Sequence, residues 1–399
     1  MLLIKHRIYN RIISTIALIA GVAFIPCAQA NSAQIAPPPS LAVKAYLLKD
    51  FNSGRVIASQ NSNMRVDPAS LTKIMTAYLS FKALKNGHLQ LTQTLPVSEY
   101  AWRIEGSKMF IEPQKQTCDV QTEKCLPTVD ELLHGMIIQS GNDASIALAE
   151  GIASTEVQFA EMMNKEAQRL GMKNTHYMNA TGLPDPQHFT TAEDLSILAT
   201  SLVRDFPEQY QRLYSVKEYT YNKITQPNRN RLLWLDPNVD GMKTGHTESA
   251  GYCLISSAKR NGIRRISVVL GAPTDAARAT ESQKLLNYGF QFFDSTLVYK
   301  QGQSINQLKV WKGSENQVAA TVPNDLYLTL PKGEYASVKA VMSSTQPLIA
   351  PIKKGQVVGK VKFMLNGKVV DERQLVAADS IEVAGILGRA WDSIKLLLQ

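Results

Sequence analysis

The sequence predicts a mixed α/β chain of the α+β kind: an antiparallel sheet flanked by helices, followed by a small all-β C-terminal domain. Three observations lead there. Of the 399 residues, roughly 370 follow an N-terminal leader, too many for one ordinary hydrophobic core. Two strand-turn-strand patterns frame a long helical middle. After Asp294 the helical period disappears, and short apolar runs punctuated by Gly, Pro and Asn replace it.

Residues 1–30 read as a secretory leader. Lys5, Arg7 and Arg11 precede a mostly apolar run over 12–25, and Ala28-Gln29-Ala30 is a small-x-small cleavage site. The apolar run is short of the about 20 residues a membrane span needs, which favours cleavage over retention as an anchor. Cys27 follows Pro26 rather than a small residue, which argues against a lipoprotein. Residues 31–40 form a Pro-rich linker.

The main domain is expected over 41–293. Residues 42–59 read as a hairpin around Asn52-Ser53-Gly54. Asp67-Pro68 opens a helix whose apolar positions Leu71, Met75, Tyr78, Leu79 and Phe81 recur at near-helical spacing. Thr128 and Glu131 form a capping box for a helix to Gln139, where Gly141 interrupts the pattern and a new helix starts at Asp143. Thr155 begins another that stops at Gly171. Residues 252–257 and 263–271 are strand-like around Arg260-Asn261-Gly262, a hairpin turn, and a helix follows over 278–293.

The β-rich domain is placed at 294–378, with strands at 326–330, 337–342, 357–363 and 368–375. The last segment, 379–399, is a membrane-anchor candidate. From 381 onward it lacks Pro, and Leu387, Ala390, Trp391, Ile394 and Leu398 share one helical face. Arg389, Asp392, Ser393 and Gln399 lie largely away from that face, and Lys395 can snorkel. The stretch is too short and polar to span a bilayer, so it either lies in the membrane interface or packs on the β-rich domain.

Formal net charge is +9, and loss of the three leader cations leaves about +6, enough to favour an anionic surface. The basic residues are scattered without an aromatic stripe, which speaks against nucleic acid as a partner. One of four cysteines leaves with the leader. Cys118 and Cys125 bracket a short polar loop, CDVQTEKC, and in an oxidising compartment that spacing reads as a local disulfide. A metal site would want more soft ligands than stand nearby, and no metal or cofactor is expected. Cys253 lies in an apolar run and reads as a buried thiol.

Three short words carry chemistry: Ser70-Leu71-Thr72-Lys73, Ser140-Gly141-Asn142 and Lys243-Thr244-Gly245. Serine is a weak nucleophile unless a neighbouring base takes its proton. Ser70 and Lys73 are three apart at a helix start, on one face. A lysine acts as that base only when neutral, and its free pKa is ~10.4; a second cation such as Lys243 would lower it. Ser256 and Lys259 repeat the Ser-x-x-Lys spacing, but in a strand, where positions three apart point to opposite faces. Ser140 is placed to relay a proton between lysine and a leaving amine, and Asn142 to hold a substrate amide. Looser copies of that word at Ser304 and Ser314 show how little it says alone. Lys243-Thr244-Gly245 leads into a strand, where Gly245 lets another backbone approach. A peptide could add to this strand edge, and the N–H groups of Ser70 and His246 could form an oxyanion hole.

The set of words is that of class A β-lactamases and penicillin-binding proteins. The segments PASLTKIMTAYL, IIQSGNDASIALAE, NATGLPDPQHFTTAEDL and DGMKTGHTESAGYC resemble low-molecular-mass penicillin-binding proteins, the serine-type D-Ala-D-Ala carboxypeptidases. That resemblance implies a serine D-peptidase/β-lactamase-like fold and removal of the terminal D-alanine from peptidoglycan pentapeptides through an acyl-enzyme on Ser70. Lys73 would be the proton acceptor, Ser140 a further active-site group and Lys243, with Thr244, Gly245 and His246, the substrate strand. Arg278, in RATESQKLLNYGF, resembles the family arginine that meets the substrate's terminal carboxylate. β-Lactams would be covalent inhibitors, and the mature chain would sit at the periplasmic face of the bacterial inner membrane through 381–399. The Cys118–Cys125 loop is a departure from the family pattern. A β-lactamase would need a group that activates water quickly; residues 179–189 hold Asp185 and His188 but no Glu, and His188 reads as ordering that loop. A D-Ala endopeptidase would lack the β-rich domain, and a penicillin sensor would carry a signalling span.

Overall fold

The computed structural model describes residues 36–112 and 126–398. The leader, the first half of the linker and the Cys118/Cys125 pair with its expected disulfide lie outside these described residues. The first hairpin is β1 (Ala45–Asp50) and β2 (Val56–Gln60). A 3-10 turn, Ala69–Thr72, runs into α1 (Lys73–Lys85), so the helix expected after Asp67-Pro68 starts more tightly wound. After α2 (Glu99–Arg103), the Thr128/Glu131 capping box closes on α3 (Val129–His134), which ends in one π-helical turn, Gly135–Gln139. The helical lobe continues with α4 (Asn142–Ala153), α5 (Glu156–Leu170), α6 (Ala192–Asp205) and α7 (Pro207–Leu213). A small hairpin, β3 (Glu218–Tyr221) and β4 (Ile224–Pro227), and the short α8 (Leu232–Leu235) lead on to three long strands. These are β5 (Val239–Thr247), β6 (Gly251–Arg260) and β7 (Ile263–Ala272), and α9 (Asp275–Phe292) follows them. α9 begins before Arg278 because Thr274 accepts the Ala277 N–H and caps it there.

The main sheet has the order β2-β1-β7-β6-β5, antiparallel throughout. Alternation along its strands builds two cores. Leu47, Ile255 and Val268 pack into the helical lobe with Ile74, Leu133 and Leu195. Their chain neighbours Leu48, Leu254 and Val269 face the other way, against Leu285 and Leu286 of α9. The turn that carries Ser70 and the end of the π-helical turn thus meet the free edge strand, β5.

The C-terminal domain is all β. β8 (Phe293–Tyr299) pairs with β11 (Leu326–Pro331). A second sheet is built from β9 (Asn306–Trp311), β10 (Gln317–Thr321), β12 (Lys339–Ser344), β13 (Leu348–Ile349), β14 (Val357–Leu365) and β15 (Lys368–Ala377). Its order is β12-β14-β15-β10-β9-β13, over a core that includes Leu308, Leu328, Phe363 and Leu375. The terminal helix α10 runs over Ile386–Leu397. Ile381, expected at the head of the anchor segment, instead pairs with Ile352 and is buried in the β core, so the helix starts later. The two domains meet through Ser53 and Thr329, whose hydroxyls are 2.7 Å apart, and through Arg373, which donates to the Ser53 carbonyl at 2.8 Å. Beneath them the fully buried Arg265 pairs with Asp50.

Candidate active site

Ser70 sits on a tightly held turn. The Asp67 carboxylate accepts the Ala69 N–H at 2.9 Å, and the Leu71 N–H bonds the Pro68 carbonyl at 3.1 Å. Ala69 lies in the left-handed region at φ 48°, a conformation that costs an L-residue about 1–2 kcal/mol and must be held by its surroundings. Two glycines do the holding. A Cβ on Gly182 would stand 1.8 Å from the Ala69 carbonyl oxygen, and one on Gly245 would stand 3.2 Å from the Pro68 oxygen. The backbone that Gly245 admits is therefore the Ser70 turn itself.

Lys73, 1% exposed, points its amine at three oxygens: Ser70 Oγ at 3.0 Å, Asn142 Oδ1 at 2.7 Å and the Thr181 carbonyl at 2.6 Å. Burial lowers its pKa to about 7, with the Arg229 guanidinium adding to the effect and Asp143 and Glu156 opposing it. The sequence placed the second cation at Lys243; burial outweighs it, and Arg229 was missed. Lys243 is itself buried and held well below its ordinary pKa, first by desolvation, then by Lys73, Arg229 and Arg278.

Ser140 ends the π-helical turn in the left-handed region at φ 63°, and its hydroxyl accepts from Lys243 Nζ at 2.9 Å. Lys243 also reaches the Thr244 carbonyl at 3.1 Å. Asn142 is tied to the same lysine as Ser70: its oxygen accepts from Lys73 and its amide donates to the Glu105 carbonyl at 2.6 Å, so it orients the lysine. Beside it, Asp143 gathers the N–H groups of Met109, Phe110 and Ile111 at 3.0–3.2 Å, fixing the loop that forms one wall.

These groups open into a cleft of about 600 Å³ lined by Ser70, Ser140, Thr244, Gly245 and His246, with Arg229 and Arg278 at one side. Arg278 is 6% exposed, pairs with Asp275 and donates to the Gly245 carbonyl at 3.3 Å, so it belongs to the cleft rather than to a helix surface. The His246 ring packs on Tyr252 at 4.0 Å. The second Ser-x-x-Lys is no site: Ser256 is buried in β6 and Lys259 is exposed. Cys253 is a buried free thiol, its pKa pushed up to about 11 by burial. Among the described residues no three His, Cys, Asp or Glu side chains gather as a metal site. Arg229 lies in Asn228-Arg229-Asn230-Arg231, a polar run between β4 and α8 whose place beside the lysines no local pattern marks.

The family model described as D-alanyl-D-alanine carboxypeptidase matches residues 31–274, and that described as penicillin-binding protein 5, C-terminal domain, matches residues 293–383. D-alanyl-D-alanine carboxypeptidase DacC of Escherichia coli (strain K12) is 42% identical over 391 residues, 95% of each chain. DacA of Haemophilus influenzae is 41% identical over 91% of each. Penicillin-binding protein 5 from Haemophilus influenzae superposes with a TM-score of 0.82 at 40% identity, over 87% of this chain and 99% of that one. Penicillin-binding protein D2 from Listeria monocytogenes, solved in its ampicillin-bound form, superposes with a TM-score of 0.56 at 30% identity, over 64% of this chain and all of that one.

Proposed function

The chain belongs to the D-alanyl-D-alanine carboxypeptidase family, and from that membership we propose a residue-level mechanism for its cleft. It is a serine-type D-alanyl-D-alanine carboxypeptidase, a hydrolase and penicillin-binding protein. Its family acts on peptidoglycan ending in D-Ala-D-Ala and binds β-lactams.

In the proposed mechanism the substrate strand lies along β5 with its terminal carboxylate toward Arg278 and Arg229. Ser70 Oγ attacks the carbonyl carbon of the penultimate D-alanine while neutral Lys73 takes the hydroxyl proton. The carbonyl oxygen gathers negative charge between the N–H groups of Ser70 and His246. Collapse breaks the peptide bond, and the leaving amine takes the proton that Lys73 gained, relayed through Ser140, whose hydroxyl Lys243 orients. D-alanine departs, and Lys73, neutral again, takes a proton from water as it attacks the ester carbonyl; when the ester bond breaks that proton passes from Lys73 to Ser70 Oγ and the serine is restored. One observation carries this reading: a buried amine with a pKa of about 7 lies 3.0 Å from a serine hydroxyl on the cleft wall.

Labelled penicillin should form a covalent adduct with the purified protein and none with Ser70→Ala. Labelling of that variant at another position would move the nucleophile elsewhere.

We propose further that the mature chain is exported and rests on the periplasmic face of the inner membrane. The leader supports export. α10 supports the surface contact: Leu387 is 87% exposed and Trp391 60%, and no residue of the helix is buried. Among the described residues no helix is long and apolar enough to cross a membrane.

A further inference from the structure

Thr72 stands between the nucleophile and its base in the sequence, and its side chain faces away from the cleft. It is fully buried, and its hydroxyl meets His188 Nε2 at 3.0 Å. His188 is 3% exposed. Its other ring nitrogen, Nδ1, accepts the Met178 N–H at 3.5 Å, which places the imidazole proton on Nε2, donated to Thr72. The Tyr177 ring packs edge-on against it at 5.6 Å.

His188 closes the loop that begins at Asn179. Asn179 Oδ1 accepts the N–H groups of Thr181 and Gly182, and the His188 N–H bonds the Asp185 carbonyl, so the loop is internally tied from end to end. Its near end supplies the Thr181 carbonyl to Lys73 and the Gly182 backbone to the Ala69 turn. Its far end is tied to the same turn through Thr72. The loop therefore touches both the Lys73 amine and the turn that carries Ser70.

We propose that His188 is a positioning residue for the reaction: its bond to Thr72 latches the 179–189 loop onto the nucleophile turn, holds the Thr181 carbonyl on Lys73 and keeps water from that amine. The inference rests on the reading of Lys73 as the base. The dry surroundings of Lys73 are the main cause of its lowered pKa, so an unlatched loop, which admits water, returns the amine toward its ordinary, protonated state. The other charges facing Lys73 (Arg229, Asp143, Glu156 and Lys243) stay where they are. Burial holds the His188 pKa at about 4 against the opposing pull of Asp67 and Asp185, with His176 adding to the lowering. The imidazole is therefore neutral wherever the enzyme works, as a latch that accepts from Met178 requires.

The test is the pH profile of penicillin acylation and of D-alanine release by the purified mature protein and by Thr72→Val, His188→Phe and the double variant. Thr72→Val keeps the shape and removes only the hydroxyl. The expected result is an acid limb displaced upward by about one pH unit, which is a tenfold loss of rate below the limb. kcat should fall with KM unchanged, and the double variant should be no worse than either single one. A folded Thr72→Val with the wild-type limb overturns the latch, even if its melting temperature has dropped, and this variant decides the matter should His188→Phe fail to fold. Lys73→Ala keeps the two readings apart: acylation surviving in that variant removes the base itself, whereas an unmoved limb in Thr72→Val removes only the latch.

Discussion

At 1% exposure the Lys73 amine has lost nearly all its hydration, and the cost falls on its charged form. With a pKa of about 7 rather than ~10.4, the neutral amine is the minority below pH 7 and the majority above it. Acylation by penicillin should therefore climb about tenfold per pH unit on the acid side of 7 and level off above it. A limb centred near 10 would show that the amine is hydrated and that burial does not set its basicity. The side chains proposed for this chemistry were legible in the sequence: Ser70, Lys73, Ser140 and Lys243 stand in short words because the proposed reaction needs those residue types. What was not legible was backbone. The Thr181 and Glu105 carbonyls that fix Lys73 and Asn142 could come from any residue, so no letter marks them. Arg229 stood in plain view, but only the fold brings its loop to the two lysines.

The turn that carries Ser70 is an element held from two sides, and glycine marks both. Gly182 sits at φ 85° with the Ala69 carbonyl where its Cβ would be. Gly182→Ala should therefore cost well beyond the roughly 1 kcal/mol of a positive-φ glycine, and abolish penicillin labelling by pushing Ser70 out of line. Gly171→Ala is the control. Gly171 has nearly the same φ, 86°, but nothing lies within 4 Å of a Cβ there, so that variant should lose about 1 kcal/mol in denaturant titration and label normally. Equal effects at the two sites would mean that strain, not contact with Ala69, is what Gly182 relieves. At this scale the helices were readable from caps and period: Thr128 with Glu131, Thr155 and Gly171 end their helices where expected. The first strands of the C-terminal domain, β8, β9 and β10, were not. They mix polar and apolar residues on half-exposed faces, and β13 is only two residues long. β9 and β10 pair with each other, but β8 pairs with β11, β10 also with β15 and β9 also with β13, partners distant in the chain.

For the whole molecule the question is what the terminal helix does for a protein whose domains are already joined without it. The junction rests on Ser53, Thr329, Arg373 and the buried Asp50–Arg265 pair, none of them in α10. α10 itself is tied to the β-rich domain near its middle, where Asp392 accepts the Lys312 N–H at 2.6 Å, while Ile386, Leu387, Leu397 and Leu398 stay largely exposed. An apolar face left open beside Trp391 and Lys395 is the composition of an interfacial helix. The structure also says where to cut. A deletion from 381 would remove Ile381, 3% exposed and part of the β core, and would confuse anchoring with folding. A chain ending at Gly385 leaves that core whole. Expressed with its leader, it should appear in the soluble periplasmic fraction with wild-type penicillin labelling and D-alanine release, whereas the full chain should sediment with membranes. Sedimentation of the shortened chain would place membrane contact elsewhere on the protein. Loss of activity in a soluble, shortened chain would make α10 a structural part of the β-rich domain, because no residue of that helix lines the cleft.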